Sequence, residues 1–402
     1  MNKILFLTLS SFEDIKKRGI YTDLVRTLAE RDNDIYVVMA RQKRTKLPTE
    51  LSEYQNIKIL KVSIGNITKC GMIEKGISTI FMERQYLGAI RKYFYNIKFD
   101  MVIYSTPPIT FEKTITHFKT KNNCVSYLVL KDIFPQNAVD IGLIKKDGLI
   151  HKFFKQKEKK LYNISDYIGC MSEGNVKYIL DNNPDIKKDK VEVFPNSIIP
   201  TEKRDSREKN IVILTKYKIP HDSVLFVYGG NLGKPQGIEF LLDVISNFYK
   251  VEKSFLLIVG SGTEYTKVKQ FFDNKKPVNC ALIDLLPKNE YDQLINNADI
   301  GLIFLDKRFT IPNFPSRLTA YMEYSMPILA ATDKVTDIKD VIVNSGSGFW
   351  SESGDLESFI SNANAIASDI ELRTKMGENS RKYLEDNYDV RKCVDTIISK
   401  LT

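Results

Sequence analysis

Short runs that are apolar almost throughout, separated by stretches with helical spacing, recur along this chain and leave few folds open to it. The first set is Ile4–Leu9, Asp34–Met39, Ile57–Val62, Asp100–Tyr104, Cys124–Leu130, Tyr167–Met171 and Val191–Phe194. A strand that is apolar on both faces must be covered on both faces, as in a parallel sheet between helical layers. Between the first two runs, Ile20, Leu24 and Leu28 recur at a helical interval with charges between them. The pattern restarts at Val224–Tyr228, Ser254–Val259, Cys280–Leu285, Ile300–Phe304 and Ile328–Ala331, each followed by a helical stretch. Pro195–Pro220, rich in charge, separates the two sets and reads as a hinge region with one short helix. The expectation is an α/β protein of two Rossmann-like, doubly wound domains, 1–198 and 199–402, facing a central cleft. The C-terminal helix is free to pack back on the first of them.

A chain of 402 residues is long enough for two buried cores, and 43% hydrophobic with 27% charged residues is an ordinary globular balance. No apolar run approaches the roughly 20 residues of a membrane span. Lys3–Leu9 reads as a first strand rather than a leader, because the charged run Glu13–Arg18 follows it at once. Five widely spaced cysteines without a C-x-x-C pair argue against zinc and a disulfide framework, and for a reducing cytoplasm. Charge is unevenly placed. Residues 1–200 hold 33 Lys and Arg against 22 Asp and Glu, and the remainder holds 26 against 28. A basic half beside a near-neutral half implies an anionic partner on one side. A membrane surface or a pyrophosphate-linked lipid fits. Nucleic acid is set aside, since no base-reading motif or zinc module accompanies the charge.

Several turns can carry chemistry. Tyr228–Gly237 follows a strand and precedes a helix, and Gly230 and Gly233 let its backbone approach a ligand. Gly260-Ser-Gly262 closes the next strand. Pro315-Ser316-Arg317 opens a helix, where free N–H groups and a guanidinium fork suit a diphosphate. Lys131–Gln136 leaves a strand at its carboxyl end, where open α/β sheets place ligands. Gly148–Tyr162 reads as a basic amphipathic helix, of a kind that either lies on an anionic membrane or packs on the domain with its charges solvated. His117, His151 and His221 have no partner pattern for nucleophilic or metal chemistry.

Pro315–Pro327 resembles the P-S-K-x-x-E-Y-M-A-x-G-x-P segment of retaining family 4 glycosyltransferases. Tyr228–Gly237 resembles the Y-x-G-N-L-G-x-x-Q-G form found in bacterial surface-polysaccharide enzymes similar to N-acetyl-fucosaminyltransferases, and Lys131–Gln136 resembles their D-L-x-P-E segment. The resemblance implies the GT-B fold and transfer of a hexosyl or N-acetylhexosaminyl group, with retention, from a nucleoside-diphosphate sugar, UDP-linked. It implies a polyprenyl-diphosphate-linked saccharide acceptor in capsule, O-antigen or exopolysaccharide assembly. The place it implies is cytoplasmic, peripheral at the inner face of the cell membrane. No cofactor or metal is implied. Such an enzyme works mainly by stabilising charge on the departing diphosphate and by positioning the acceptor.

Carried onto this chain, the donor site comprises Gly230, Asn231, Gly233, Lys234, Gln236, Gly262, Leu286, Ser316, Arg317 and Glu323. Arg18 and Gly19 fall in the donor-sugar or acceptor loop, and Asp132 and Arg317 take the catalytic roles. Asn231 and Gln236 stand where many relatives have Arg and Lys, which leaves cationic grip to Lys234 and Arg317. Ala320 and Pro312 stand where relatives have acids, one of which holds ribose. Glu323, one turn on, is the candidate substitute. The rival readings are a catalytically silent donor-binding partner subunit and a sugar-nucleotide 2-epimerase, the latter disfavoured by the scarcity of cleft histidines.

Overall fold

The computed structural model describes residues 1–68, 70–202 and 209–401, so residues 203–208 of the stretch read as a hinge lie outside the described residues. The chain divides into two compact units, Met1–Ile199 with Asp389–Thr402, and Pro200–Tyr388.

The first unit is built from β1 (Lys3–Thr8), α1 (Ile20–Ala29), β2 (Asp34–Gln42), β3 (Glu50–Tyr54), β4 (Ile57–Ile64), α2 (Met72–Tyr93), β5 (Met101–Ser105), α3 (Glu112–Asn122), β6 (Val125–Leu130), α4 (Gln136–Asp140), α5 (Leu149–Ile164), β7 (Tyr167–Cys170), α6 (Glu173–Asn182) and β8 (Val191–Val193). Its sheet runs β3-β4-β2-β1-β5-β6-β7-β8, and only β3 is antiparallel to its neighbour. The apolar runs became strands for the reason given above. Ile4–Leu7 and Met101–Tyr104 are fully buried, so both sheet faces are covered where the sheet is central. Strand order reverses between β1 and β5. In an open α/β sheet, that reversal leaves a crevice outside the carboxyl ends of the two strands.

The second unit contains α7 (Ile211–Lys216), β9 (Val224–Asn231), α8 (Ile238–Asn247), β10 (Ser254–Ser261), α9 (Tyr265–Lys275), β11 (Cys280–Ile283), α10 (Lys288–Ile295), β12 (Ile300–Phe304), α11 (Arg317–Glu323), β13 (Ile328–Thr332), α12 (Ile338–Asn344), β14 (Gly348–Glu352), α13 (Leu356–Ser368) and α14 (Ile370–Asn387). Its all-parallel sheet runs β11-β10-β9-β12-β13-β14, which places the reversal between β9 and β12. Phe226, Leu256, Leu302 and Leu329 carry its core, with Phe240, Phe248 and Phe359 packed in from the helices.

The last helix, α15 (Val390–Ile398), belongs to the first unit. It packs on α1 and buries Val390, Cys393, Val394 and Ile397. The Val390 N–H donates to the Ile198 carbonyl at 3.0 Å. All five cysteines are free, and all but Cys70 are buried.

Candidate functional site

In the second unit, three loops from neighbouring strands meet at the β9/β12 reversal with almost no side chain between them. Gly230 pairs with Gly260 across β9 and β10. A Cβ on Gly260 would lie 1.8 Å from the Gly230 carbonyl oxygen, and one on Gly262 would lie 2.2 Å from the Leu232 oxygen. On the other side, the Asp306 N–H donates to the Pro235 carbonyl at 3.0 Å. Gly230 has a φ of +121°, a backbone conformation open to glycine and rarely adopted by other residues. The result is a strip in which loop backbone packs against loop backbone, with no room for a side chain between Gly260, Gly262 and the β9 loop.

Beneath that strip sits Arg317. It opens α11, and Tyr321 lies four residues on, so both project from one helix face. The Tyr321 hydroxyl accepts the Gly229 N–H at 3.0 Å. The guanidinium of Arg317 lies over the Tyr228 ring, 4.3 Å from its centroid. Its Nη2 is 3.6 Å from the point a Gly230 Cβ would occupy. A Cβ on Gly229 would meet the Tyr291 hydroxyl at 1.8 Å, which places this third tyrosine, from α10, against the same loop. Burial works against the charge of Arg317, but the hydroxyls of Tyr228, Tyr321 and Tyr291 more than offset it, and the guanidinium is held above its ordinary pKa. Its Nη1 is buried and has no hydrogen-bond partner among the described residues. A buried charged donor without an acceptor is costly unless something supplies one. The chemistry that answers it is an anion.

In the first unit, polar groups converge on the carboxyl edge at the β1/β5 reversal. The Ser105 hydroxyl donates to Thr8 Oγ1 at 3.1 Å, and the Tyr21 hydroxyl reaches both. Thr106 Oγ1 accepts the N–H groups of Lys131 and Asp132 at 2.9 and 3.3 Å. This fixes the start of the loop that carries Asp132. Burial raises the Asp132 carboxyl above the usual aspartate range. Its neighbour Lys131 turns the other way. Its ammonium donates to the Pro195 carbonyl at 3.3 Å and lies 5.6 Å from the Phe194 ring centroid. Burial lowers its pKa from 10.5 to about 8, partly countered by the Cys393 thiol. Across that window the unfolded chain holds the proton that the folded chain has released, so stability should rise with pH. Denaturation midpoints of the wild type are expected to gain on those of Lys131→Met as pH is raised from about 8 towards 10.5. A constant difference would remove the buried ammonium from the account.

Residues 210–383 match the family model of Glycosyl transferases group 1. That match falls within the second unit and spans most of it, and the chain is a glycosyltransferase. A probable glycosyltransferase of Pseudomonas aeruginosa, WbjE, is 23% identical over 321 residues, covering 79% of this chain and 77% of that one. The capsular polysaccharide biosynthesis glycosyltransferase CapM of Staphylococcus aureus is 26% identical over 181 residues, 43% of this chain and 44% of its own. Among solved structures, sucrose-phosphate synthase from Thermosynechococcus elongatus superposes with a TM-score of 0.77 at 12% identity, over 100% of this chain and 98% of that one. Anabaena Alr3699/HepE in complex with UDP and glucose gives 0.69 at 14% identity, over 100% and 99%. The fold is GT-B.

The expected donor residues of this glycosyltransferase divide by what holds them. Gly230, Gly262 and Arg317 belong to the assembly just described, and Gly233 lies further along the β9 loop, where an added Cβ would stand 2.8 Å from Asn231 Nδ2. Asn231 and Gln236 clip the loop: Gln236 Oε1 accepts from Asn231 Nδ2 at 2.8 Å and from the Gly233 N–H at 3.2 Å. Lys234 is exposed in the single 3-10 turn that follows, and Leu286 is half-buried in the loop between β11 and α10. Ser316 lies at the head of α11 but makes no side-chain cap hydrogen bond. With α11 only seven residues long, its dipole is a minor source of positive potential, and the guanidinium is the main one.

Three expected residues have other occupations. Glu323 ends α11, about 9 Å along the axis from Arg317, and its carboxylate accepts the Thr201 N–H and hydroxyl, both at 3.1 Å. In the first unit, Arg18 donates to the Ile199 carbonyl at 2.6 Å. The Gly19 N–H goes to Asp23, a fully buried carboxylate that also takes Arg26 at 2.6 Å and the Ile199 N–H at 3.0 Å. A buried carboxylate needs such donors, and that need recruits Gly19 to the Ile199 segment. Tyr228, Tyr291 and Tyr321 were not anticipated. Two of them stand inside the quoted motifs, and Tyr321 is at helical spacing from Arg317, the one signal available. Among the described residues, no group of three or more His, Cys, Asp or Glu is placed to hold a metal ion.

Proposed function

We propose that this glycosyltransferase transfers a sugar, with retention, from a UDP-linked donor to a polyprenyl-diphosphate-linked saccharide in bacterial surface-polysaccharide assembly. The observation that carries the donor half is the Nη1 of Arg317, buried among tyrosines beneath the glycine strip without a hydrogen-bond partner among the described residues. The donor diphosphate supplies its acceptor. As the bond to the sugar breaks, negative charge grows on the departing phosphate, and a cation already fixed in a low-dielectric setting stabilises that charge without reorganising. Loop N–H groups of 230–233 add donors, and Lys234 adds an exposed cation. The match to CapM, a capsular polysaccharide enzyme, and to HepE, solved with UDP, supports the substrate classes. Asp132, desolvated at the carboxyl edge of the first unit, holds the acceptor hydroxyl, and the enzyme works as a peripheral protein at the inner membrane face without a metal. No helix among the described residues is long and apolar enough to cross a membrane.

The test is a panel of sugar nucleotides offered with a polyprenyl-diphosphate acceptor, with product identified by mass and anomeric configuration by NMR. An inverted product would overturn retention. Asp132→Asn is expected to lower kcat by about a hundredfold, within the range for a positioned proton acceptor, while UDP affinity by calorimetry stays unchanged. Loss of both together would move Asp132 to a structural role.

A further inference from the structure

Large apolar side chains on two helices of the first unit face solvent. Ile77, Ile80 and Phe81 of α2 are 54%, 60% and 50% exposed, and Leu149, Ile150 and Phe153 of α5 are 88%, 62% and 42% exposed. Further along the same helices, Tyr86, Ile90, Leu161 and Tyr162 are buried. The exposed sets share one level of the fold. α3 packs between the two helices. Glu83 of α2 accepts the Thr114 N–H at 2.9 Å, and Lys157 of α5 lies 3.9 Å from Glu112, so Glu83, the start of α3 and Lys157 are in register. At about 1.5 Å per residue, Ile77–Phe81 then lie roughly 3–9 Å, and Leu149–Phe153 roughly 6–12 Å, towards the helix starts. Both helices therefore protrude past the start of α3, at the carboxyl edge of the sheet, and carry their exposed apolar residues there.

We infer that these two protruding helix starts insert into the interfacial layer of an anionic bilayer and bring the Asp132 loop to it; this rests on the reading that the acceptor is lipid-linked. Charge decides the occupant. Lys75, Arg84, Lys113, Lys145, Lys146 and Lys152 are exposed around the apolar residues, against Glu74 and Asp147. A second copy of the chain would bring these cations against themselves. A layer of anionic headgroups complements them and accepts the apolar side chains beneath. The cations are already disposed for it: Arg84 lies 6.0 Å from the Phe81 ring centroid and Lys157 6.0 Å from that of Phe153, stems along the apolar surface. The face also leads to the acceptor loop. Phe153 packs edge-on against Phe154 at 5.2 Å, and Phe154 against Phe134 at 4.9 Å, two residues from Asp132.

The full chain would be sedimented with phosphatidylcholine vesicles and with vesicles in which about a third of the lipid is phosphatidylglycerol. Expected is binding to the second only, with a part that survives high salt. The double variants Ile80→Asp with Phe81→Asp, and Leu149→Asp with Ile150→Asp, should each lower the partition coefficient by about tenfold or more and abolish the salt-resistant part. UDP affinity and the thermal midpoint should stay put, so failure here leaves the donor reading standing. As a second readout, Trp350 is the chain's one tryptophan; with Trp350→Phe, a Phe153→Trp variant should shift its emission to the blue on anionic vesicles. Complete release by salt, unchanged partitioning of both double variants, or a concentration-dependent dimer in sedimentation velocity that they abolish would each overturn the proposal.

Discussion

Arg317→Ala is expected to weaken UDP binding by about 1.5–3 kcal/mol, the range for a hydrogen bond to a charged group. This is roughly a ten- to hundredfold loss. The structure places the expectation near the upper end, because the lost donor is buried and its Nη1 has no other acceptor among the described residues. Arg317→Lys should recover only part of the loss, since an ammonium replaces neither the fork nor the stacking on Tyr228. Calorimetry with UDP and dTDP would measure both. Equal affinity of wild type and Arg317→Ala for the two nucleotides would take Arg317 out of the donor site.

Gly260→Ala should cost about 1–3 kcal/mol of stability, the scale of overpacking a filled site, and most of the UDP affinity with it. The added Cβ would sit 1.8 Å from the Gly230 carbonyl oxygen, a backbone atom with no rotamer to yield. Relief requires β9 and β10 to part where the glycine strip is formed. Gly88→Ala is the control. Gly88 lies in the exposed face of α2 with nothing within 4 Å of an added Cβ, and there alanine should stabilise by about 0.8–1 kcal/mol. Should Gly260→Ala bind UDP normally, the strip is not part of the donor site.

How much of this was legible in the sequence follows from what each residue contacts. The central strands were readable because burial on both faces makes them apolar throughout. β3 and β14 were not: Glu50–Tyr54 and Gly348–Glu352 are edge strands, and their mixed composition carries no such signature. The glycine loops were readable as places where backbone approaches backbone or ligand. The burial of the Arg317 Nη1 was not, because an arginine at a helix start reads as exposed until Tyr228 and Tyr291 arrive from other elements. Glu323 looked like a cleft acid on helical geometry alone. Its partner Thr201 lies far away in sequence, and no local pattern announces such a contact.

The membership of α15 in the first unit has a consequence for how the protein is made. A chain leaves the ribosome from its N-terminus, and domains ordinarily fold in that order. Here Pro200–Tyr388 is complete while the first unit still lacks its last helix. Until Asp389 and the residues after it emerge, α1 stands without its partner, and the Ile198 carbonyl lacks the Val390 N–H. The half synthesised first is thus the half finished last. A nascent chain halted after Tyr388 should present a protease-resistant second unit beside a first unit that is still open to cleavage.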